Sequence, residues 1–198
     1  PPAARAAGLS FAAIVTDVLA FEAAARGPGL IVWGGAKEDK LYLHLPNYLS
    51  SQRAHAGDGM FVVGALAYPF LEYAGQPVGQ SKPPAPQYAQ KVRDAIPVIL
   101  STAKQRGIDV RWSSDHRVGG ATEPVAQIGT EQAAIDIGPK TLQDLLGEID
   151  RIVERYRTMG EGWIIANGGA GVFQRDDGRV ATRRLLEKLE EAAAAGVP

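Results

Sequence analysis

Cysteine is absent from this chain, and histidine is scarce, with three residues in 198. The absence of cysteine excludes disulfides, thiolate nucleophiles and cysteine-based zinc or iron–sulfur sites. Any metal site would therefore have to combine carboxylates with His44, His55 or His116.

Long apolar runs and an excess of charge of one sign are also absent. No apolar run approaches the roughly 20 residues that a membrane-spanning helix needs. The formal net charge is −1, so global electrostatics supply no attraction to nucleic acid or to an anionic membrane. With 45% hydrophobic and 22% charged residues, the chain has the composition of a soluble globular protein. It begins at Pro1, from which we expect a larger parent protein or assembly.

Several catalytic signatures are missing: the chain contains no HExxH, GxSxG or zinc-deaminase pattern. The sequence GGAG at residues 168–171 lacks the GxGxxG spacing and is not followed by a P-loop lysine. We therefore interpret it as a tight turn and predict no cofactor-binding residues.

Helix and strand patterns alternate along the chain. Apolar positions at helical spacing predict helices at 87–106, 141–159 and 180–195, while 30–33, 40–45, 108–112, 133–137 and 162–166 read as strands. The segment GGAKED between the first two strands has the composition of a hairpin. These patterns predict an α+β fold with a small, mostly antiparallel sheet; an α/β layered fold is the alternative. We expect residues 1–9 to end a linker and residues 10–198 to form a single domain, with a proline- and glycine-rich excursion at 75–86.

The segment 108–137 carries the strongest candidates for a site, because two strand patterns enclose a loop of ionisable groups. His116 follows a strand and could bind a metal or transfer protons, or be a solvated histidine paired with Asp115. Asp136 lies between isoleucines and could be a metal ligand, a catalytic acid, a helix cap or an outward-facing carboxylate. Glu131 is a candidate acid or base, and Arg111 could hold a carboxylate in a cleft.

Part of the second half resembles the M15 family of D-Ala-D-Ala carboxypeptidases and endopeptidases. RGIDVRWSSDHR matches that family's Gly-hydrophobic-x-Val-x-Ser-x-x-Arg strand, and QIGTEQAAIDI aligns with its Ser-x-His-x-x-Gly-x-Ala-x-Asp-Ile motif. Asp136 falls on the position of a zinc ligand, but Gln127, Gly129 and Gln132 replace the serine, histidine and glycine. GGAGVF resembles a later family turn, but the following RDDGRV lacks the last histidine ligand.

The resemblance implies a peptidoglycan-associated domain, either a zinc-dependent peptidase or an inactive binding relative, in a secreted or cell-envelope location. In the active version His116 and Asp136 bind Zn²⁺ with a third ligand from His44 or His55, and Glu131 serves as base. Two alternatives remain: a non-catalytic structural or interaction module, and a toxin-like nuclease that uses a histidine with an arginine.

Overall fold

The structure, a computed structural model, describes the backbone from residue 9 to residue 198 and the side chains of residue 16 and residues 18–198. The predicted linker end at residues 1–9 lies outside the described residues, apart from Leu9. Leu9 begins the first helix.

The described chain is organised around a four-stranded sheet whose strands all run parallel. The strands are β1 (Leu30–Trp33), β2 (Gly59–Val62), β3 (Asp109–Trp112) and β6 (Ile164–Asn167). Their spatial order is β3-β2-β1-β6. Helices and strands are therefore both present as predicted, but the prediction of a mostly antiparallel main sheet is wrong. The architecture agrees with the alternative, an α/β layered fold.

Helices cover both faces of this sheet in the described part of the chain. They are α1 (Leu9–Ala24), α2 (Leu45–Ser50), α3 (Tyr68–Tyr73), α4 (Pro86–Arg106), α5 (Pro139–Met159) and α6 (Val180–Ala194). One apolar cluster joins α2, α3 and α4 to one face, including Ile31 and Val62. Another joins α5 and α6 to the opposite face, including Val32 and Phe61. Neighbouring strand residues point to opposite faces, so β1 and β2 are apolar throughout.

Residues 40–45, predicted as a strand, are helical. Lys40–His44 form a π-helical turn that continues directly into α2. The predicted hairpin between residues 30–33 and 40–45 is therefore wrong. The next strand along the chain, β2, is parallel to β1, and parallel neighbours require a crossover connection rather than a tight turn. Two short 3₁₀ turns, Gly64–Ala67 and Asp176–Gly178, precede α3 and α6.

An antiparallel pair lies beside the main sheet, formed by β4 (His116–Val118) and β5 (Ala134–Ile137). The proline-rich segment 75–86 is tied to it, since Gln80 N–H donates to Gln132 O and Ala134 N–H donates to Ser81 Oγ. The end of the segment is fixed by the Ala85 N–H, which donates to Glu38 Oε1 at 2.9 Å. This excursion therefore connects β5 with the turn that follows β1.

Among the described residues, the helices lack the combination of length and apolar composition that a membrane-spanning segment requires.

Candidate functional site

The order of the strands reverses next to β1. From β1 the chain proceeds to β2 and then β3 on one side, whereas β6 lies on the other side of β1. In open parallel sheets, ligands bind outside the carboxyl ends of the strands where the order reverses. The strand order therefore favours a ligand site at the carboxyl ends of β1 and β6.

Glycine turns meet at this edge of the sheet. Gly34 follows β1, Gly168 and Gly169 follow β6, and Gly64 follows β2. The Gly35 N–H donates to Gly169 O at 2.8 Å, and a Cβ on Gly34 would lie 2.5 Å from Gly169 O. Gly168 has a φ of +99°, a conformation that favours glycine. Side chains are thus excluded where the two turns touch, and the turns pack backbone against backbone. We refer to the region outside the carboxyl ends of β1 and β6 as the crevice.

A buried lysine sits between these turns. Lys40 is only 8% exposed, and its Nζ donates to Gly34 O at 2.8 Å and to Asn167 O at 2.9 Å. Burial lowers the pKa of Lys40, partly opposed by the nearby carboxylate of Asp39. An ammonium group has three N–H donors, and the described residues engage two. The described residues therefore leave one donor of this positively charged group without a hydrogen-bond partner.

The surroundings of Lys40 add a second cation. Lys37 is exposed in the same turn, and Glu38 is occupied by its bond to Ala85. Two lysines beside a backbone-lined crevice suit an anion that approaches the main chain closely, such as a phosphate group. Among the described residues no group of three or more His, Asp or Glu side chains could hold a metal ion.

Asp136, a predicted metal ligand, lies elsewhere and has backbone partners. The residue is 2% exposed; its Oδ1 accepts from the Ile137 N–H and its Oδ2 from the Ala181 N–H, both at 2.9 Å. The second bond caps α6, so the helix-cap interpretation describes the observed contacts, although the capped helix is not the one that follows β5. Burial raises the pKa of Asp136 to about 6, opposed by backbone hydrogen bonds and by Arg117.

His116 lies on the strand next to Asp136. It is paired in register with Ile137, while Arg117 is opposite Asp136. The side chain of His116 is buried, and this burial lowers its pKa against the influence of Asp115. A metal bound by His116 and Asp136 remains a prediction. The described residues place no third histidine or acidic ligand beside this pair.

The two predicted catalytic residues, Glu131 and Arg111, lie in different elements. Glu131 is exposed in a turn before β5. Arg111, on β3, binds Asp109 and Glu148, so its guanidinium holds carboxylates of its own chain. His44 and His55 are exposed, and both line an aromatic cavity beside β1 rather than the surroundings of His116.

The chain matches the family model for phosphoglycerate kinase over residues 2–197. It belongs to the phosphoglycerate kinase family. A phosphoglycerate kinase of Gloeobacter violaceus is 33% identical over 182 residues, which cover 83% of this chain and 40% of that protein. A probable phosphoglycerate kinase of Caenorhabditis elegans is 27% identical, covering 85% of this chain and 38% of its own length. The chain thus spans about two fifths of the curated relatives it matches.

Solved structures of phosphoglycerate kinases share the fold. The enzyme of Coxiella burnetii superposes with a TM-score of 0.68 at 20% identity, covering 90% of this chain and 44% of that one. The enzyme of Pyrococcus horikoshii OT3 gives a TM-score of 0.66 at 20% identity, with the same coverage.

The family assignment overturns the M15 interpretation. This chain is not an M15-like domain, and the peptidase, hydrolase and peptidoglycan assignments are wrong, as are the structural-module and nuclease alternatives. The matched motifs have other structural roles: the strand of RGIDVRW is β3 of a parallel sheet, and Asp136 caps a helix. A cell-envelope location, inferred through that resemblance, has lost its basis.

The site at the carboxyl ends was missed in the sequence, although a local signal was present. Both β1 and β6 are short apolar runs followed at once by a glycine pair, LIVWGG and IIANGG. Glycines directly after a strand permit a tight turn and a close approach of backbone to a ligand. The hairpin interpretation of GGAKED concealed this repetition.

Proposed function

We propose that this chain forms a substrate-binding lobe of a phosphoglycerate-kinase-type phosphotransferase, and that the crevice between β1 and β6 binds the phosphate groups of a substrate. The observation that carries the proposal is the Lys40 ammonium, held between Gly34 O and Asn167 O where the strand order reverses.

The chemistry of a kinase fits a site of this kind. Phosphoryl transfer proceeds with negative charge spread over the phosphoryl oxygens, so catalysis consists largely of positioning and electrostatic stabilisation. A buried lysine is a fixed positive charge in surroundings of low dielectric, where its attraction to phosphate is stronger than in water. Its two backbone contacts hold the ammonium in place before a substrate arrives.

The glycines have a complementary role. Because Gly34, Gly168 and Gly169 carry no side chains, the two turns pack backbone against backbone next to Lys40, so a phosphate that binds Lys40 meets main chain there rather than side chains. Lys37, exposed on the same turn, draws an anionic substrate toward the crevice.

Calorimetric titration of the chain with adenosine nucleotides and, separately, with phosphoglycerate tests the proposal. We expect saturable binding of at least one, and a loss of tenfold or more in affinity for Lys40→Met. Lys40→Arg, which keeps the charge, should retain part of the affinity. Lys104→Met is the matched control, because Lys104 is exposed near the end of α4, where the chain enters the amino end of β3.

Circular dichroism of each variant shows whether the fold persists. Absence of saturable binding to the unmodified chain would reject the proposal, and so would a Lys40→Met variant that binds as tightly as its parent. The two titrations also identify which substrate this lobe receives.

A further inference from the structure

The turn after β6 rests on a buried carboxylate. Gly171 lies against Asp136, and a Cβ at position 171 would fall inside van der Waals contact with Asp136 Oδ1. Immediately after it, the Val172 N–H donates to Ile135 O at 2.7 Å. The end of the glycine turn is thereby attached to β5, which belongs to a different sheet from β6.

The first turn of α6 holds the same glycine turn from the other side. Asp136 Oδ2 accepts from the Ala181 N–H, which fixes the start of the helix. The next residue, Thr182, accepts a hydrogen bond at its Oγ1 from the Ala170 N–H at 2.9 Å. A Cβ on Gly169 would lie 3.1 Å from this hydroxyl, so the turn packs directly on the threonine.

The Gly168–Gly171 turn also belongs to the surroundings of Lys40. Gly169 O accepts from the Gly35 N–H at 2.8 Å, and Asn167 O accepts from Lys40 Nζ at 2.9 Å. A continuous series of contacts thus runs from Asp136 through the start of α6 and the glycine turn to Lys40.

We propose that Asp136 and Thr182 are positioning residues: they fix the Gly168–Gly171 turn in the shape that keeps Asn167 O on Lys40 Nζ and Gly169 O on the Gly35 N–H beside the phosphate site. This inference rests on the proposed function, because it assigns a purpose to the shape of that site. Neither residue touches the crevice itself; each acts through the backbone it holds.

Thr182→Val and Thr182→Ser separate positioning from general stability. Valine keeps the branched shape but removes the acceptor, whereas serine keeps the hydroxyl. We expect Thr182→Val to weaken nucleotide or phosphoglycerate binding about tenfold, which corresponds to roughly 1.4 kcal/mol, and Thr182→Ser to restore it. Thr158→Val is the matched control, because Thr158 is an exposed α5 residue that bonds its own helix.

A second measurement reports on the Ala170 amide, which donates to Thr182 Oγ1. In ¹⁵N-labelled protein without ligand, hydrogen exchange of the Ala170 amide should accelerate several-fold in Thr182→Val and return to the parental rate in Thr182→Ser. Asp136→Asn should weaken binding in the same direction, because one amide group cannot accept from backbone N–H donors at both of its terminal atoms. If that variant does not fold, the Thr182 series still decides.

The outcomes are distinct. Weaker binding in Thr182→Val with rescue by serine and an unchanged control supports the inference. Equal binding by Thr182→Val and the parent overturns it while leaving the proposed function intact, and equal weakening in Thr158→Val overturns it in favour of general destabilisation. An unmodified chain that binds neither ligand shows that the proposed function itself has failed.

Discussion

Asp115 caps α5 through Thr141, 26 residues away in the chain. Asp115 Oδ1 accepts from the Thr141 N–H at 2.8 Å and from the Thr141 hydroxyl at 2.5 Å. Its Oδ2 accepts from the Lys140 N–H at 3.0 Å. One carboxylate therefore satisfies amide groups at the start of α5 that have no partner within the helix. The contact also ties β4 to α5, since Asp115 directly precedes His116.

The Asp115 cap should be important for stability. Loss of a helix cap costs about 0.5–2 kcal/mol, and buried donors left without partners add about 1–3 kcal/mol. We expect Asp115→Ala to lower the free energy of unfolding in urea by about 2–4 kcal/mol. Asp144→Ala, which removes an exposed partner of Lys140 on the same helix, should change it by less than about 0.5 kcal/mol. Similar losses in both variants would contradict the capping role.

Asp136 should make stability depend on pH in a defined direction. Its pKa is raised from 3.8 to about 6 in the folded protein, so the folded state holds a proton that the unfolded state releases. The stabilisation that this proton gives the folded state is therefore complete below about pH 4 and is lost as the pH rises through 6. One pKa unit corresponds to about 1.4 kcal/mol. Between pH 4.5 and 7.5, the free energy of unfolding of the parent should therefore fall by about 2 kcal/mol relative to that of Asp136→Asn.

Urea titrations of both proteins at several pH values measure this difference. Comparing the pair cancels the contribution of His116, whose lowered pKa acts in the opposite direction as the pH falls. A stability difference that stays constant across the range would show that Asp136 ionises in the folded state as it does in the unfolded chain.

The glycines of the crevice should not tolerate a side chain. A Cβ at Gly34 would lie 2.5 Å from Gly169 O, and backbone hydrogen bonds hold the two turns in this contact. We expect Gly34→Ala to destabilise the protein by about 1–3 kcal/mol through overpacking and to weaken phosphate binding. Gly147→Ala is the natural comparison, because a Cβ there meets nothing within 4 Å and α5 gains up to about 1 kcal/mol of helix propensity. Thermal unfolding of the two variants should therefore move in opposite directions.

Binding at the crevice should weaken in alkali. Because burial lowers the pKa of Lys40, its ammonium loses its proton at a lower pH than a solvent-exposed lysine does. Affinity for a phosphate-bearing ligand should fall as the pH rises through that lowered pKa, and Lys40→Arg should remove the decline because arginine stays protonated. Titrations at pH 7 to 10 measure the effect; identical pH profiles in the two proteins would exclude Lys40 as the titrating group.

Several elements were readable from local pattern. The stripe of leucines and isoleucines in residues 141–159 predicts α5 nearly to its ends, and the apolar runs at 30–33 and 108–112 predict strands that the structure contains as β1 and β3. These segments carry their own signal, because a 3.6-residue or two-residue period depends on nearest neighbours alone. KLYLHL misled because its alternation suits a strand, although the segment begins a crossover between parallel strands.

The sequence by itself determined the positions of helices α4, α5 and α6 and of strands β1 and β3, and the impossibility of disulfides and thiolate chemistry. Tertiary structure decided the strand order, the parallel direction and the partners of the charged groups. Asp136 reaches the Ala181 amide 45 residues away, and Lys40 reaches Asn167 O across 127 residues. Such contacts leave no periodic trace in the chain, because they depend on how layers pack rather than on local spacing.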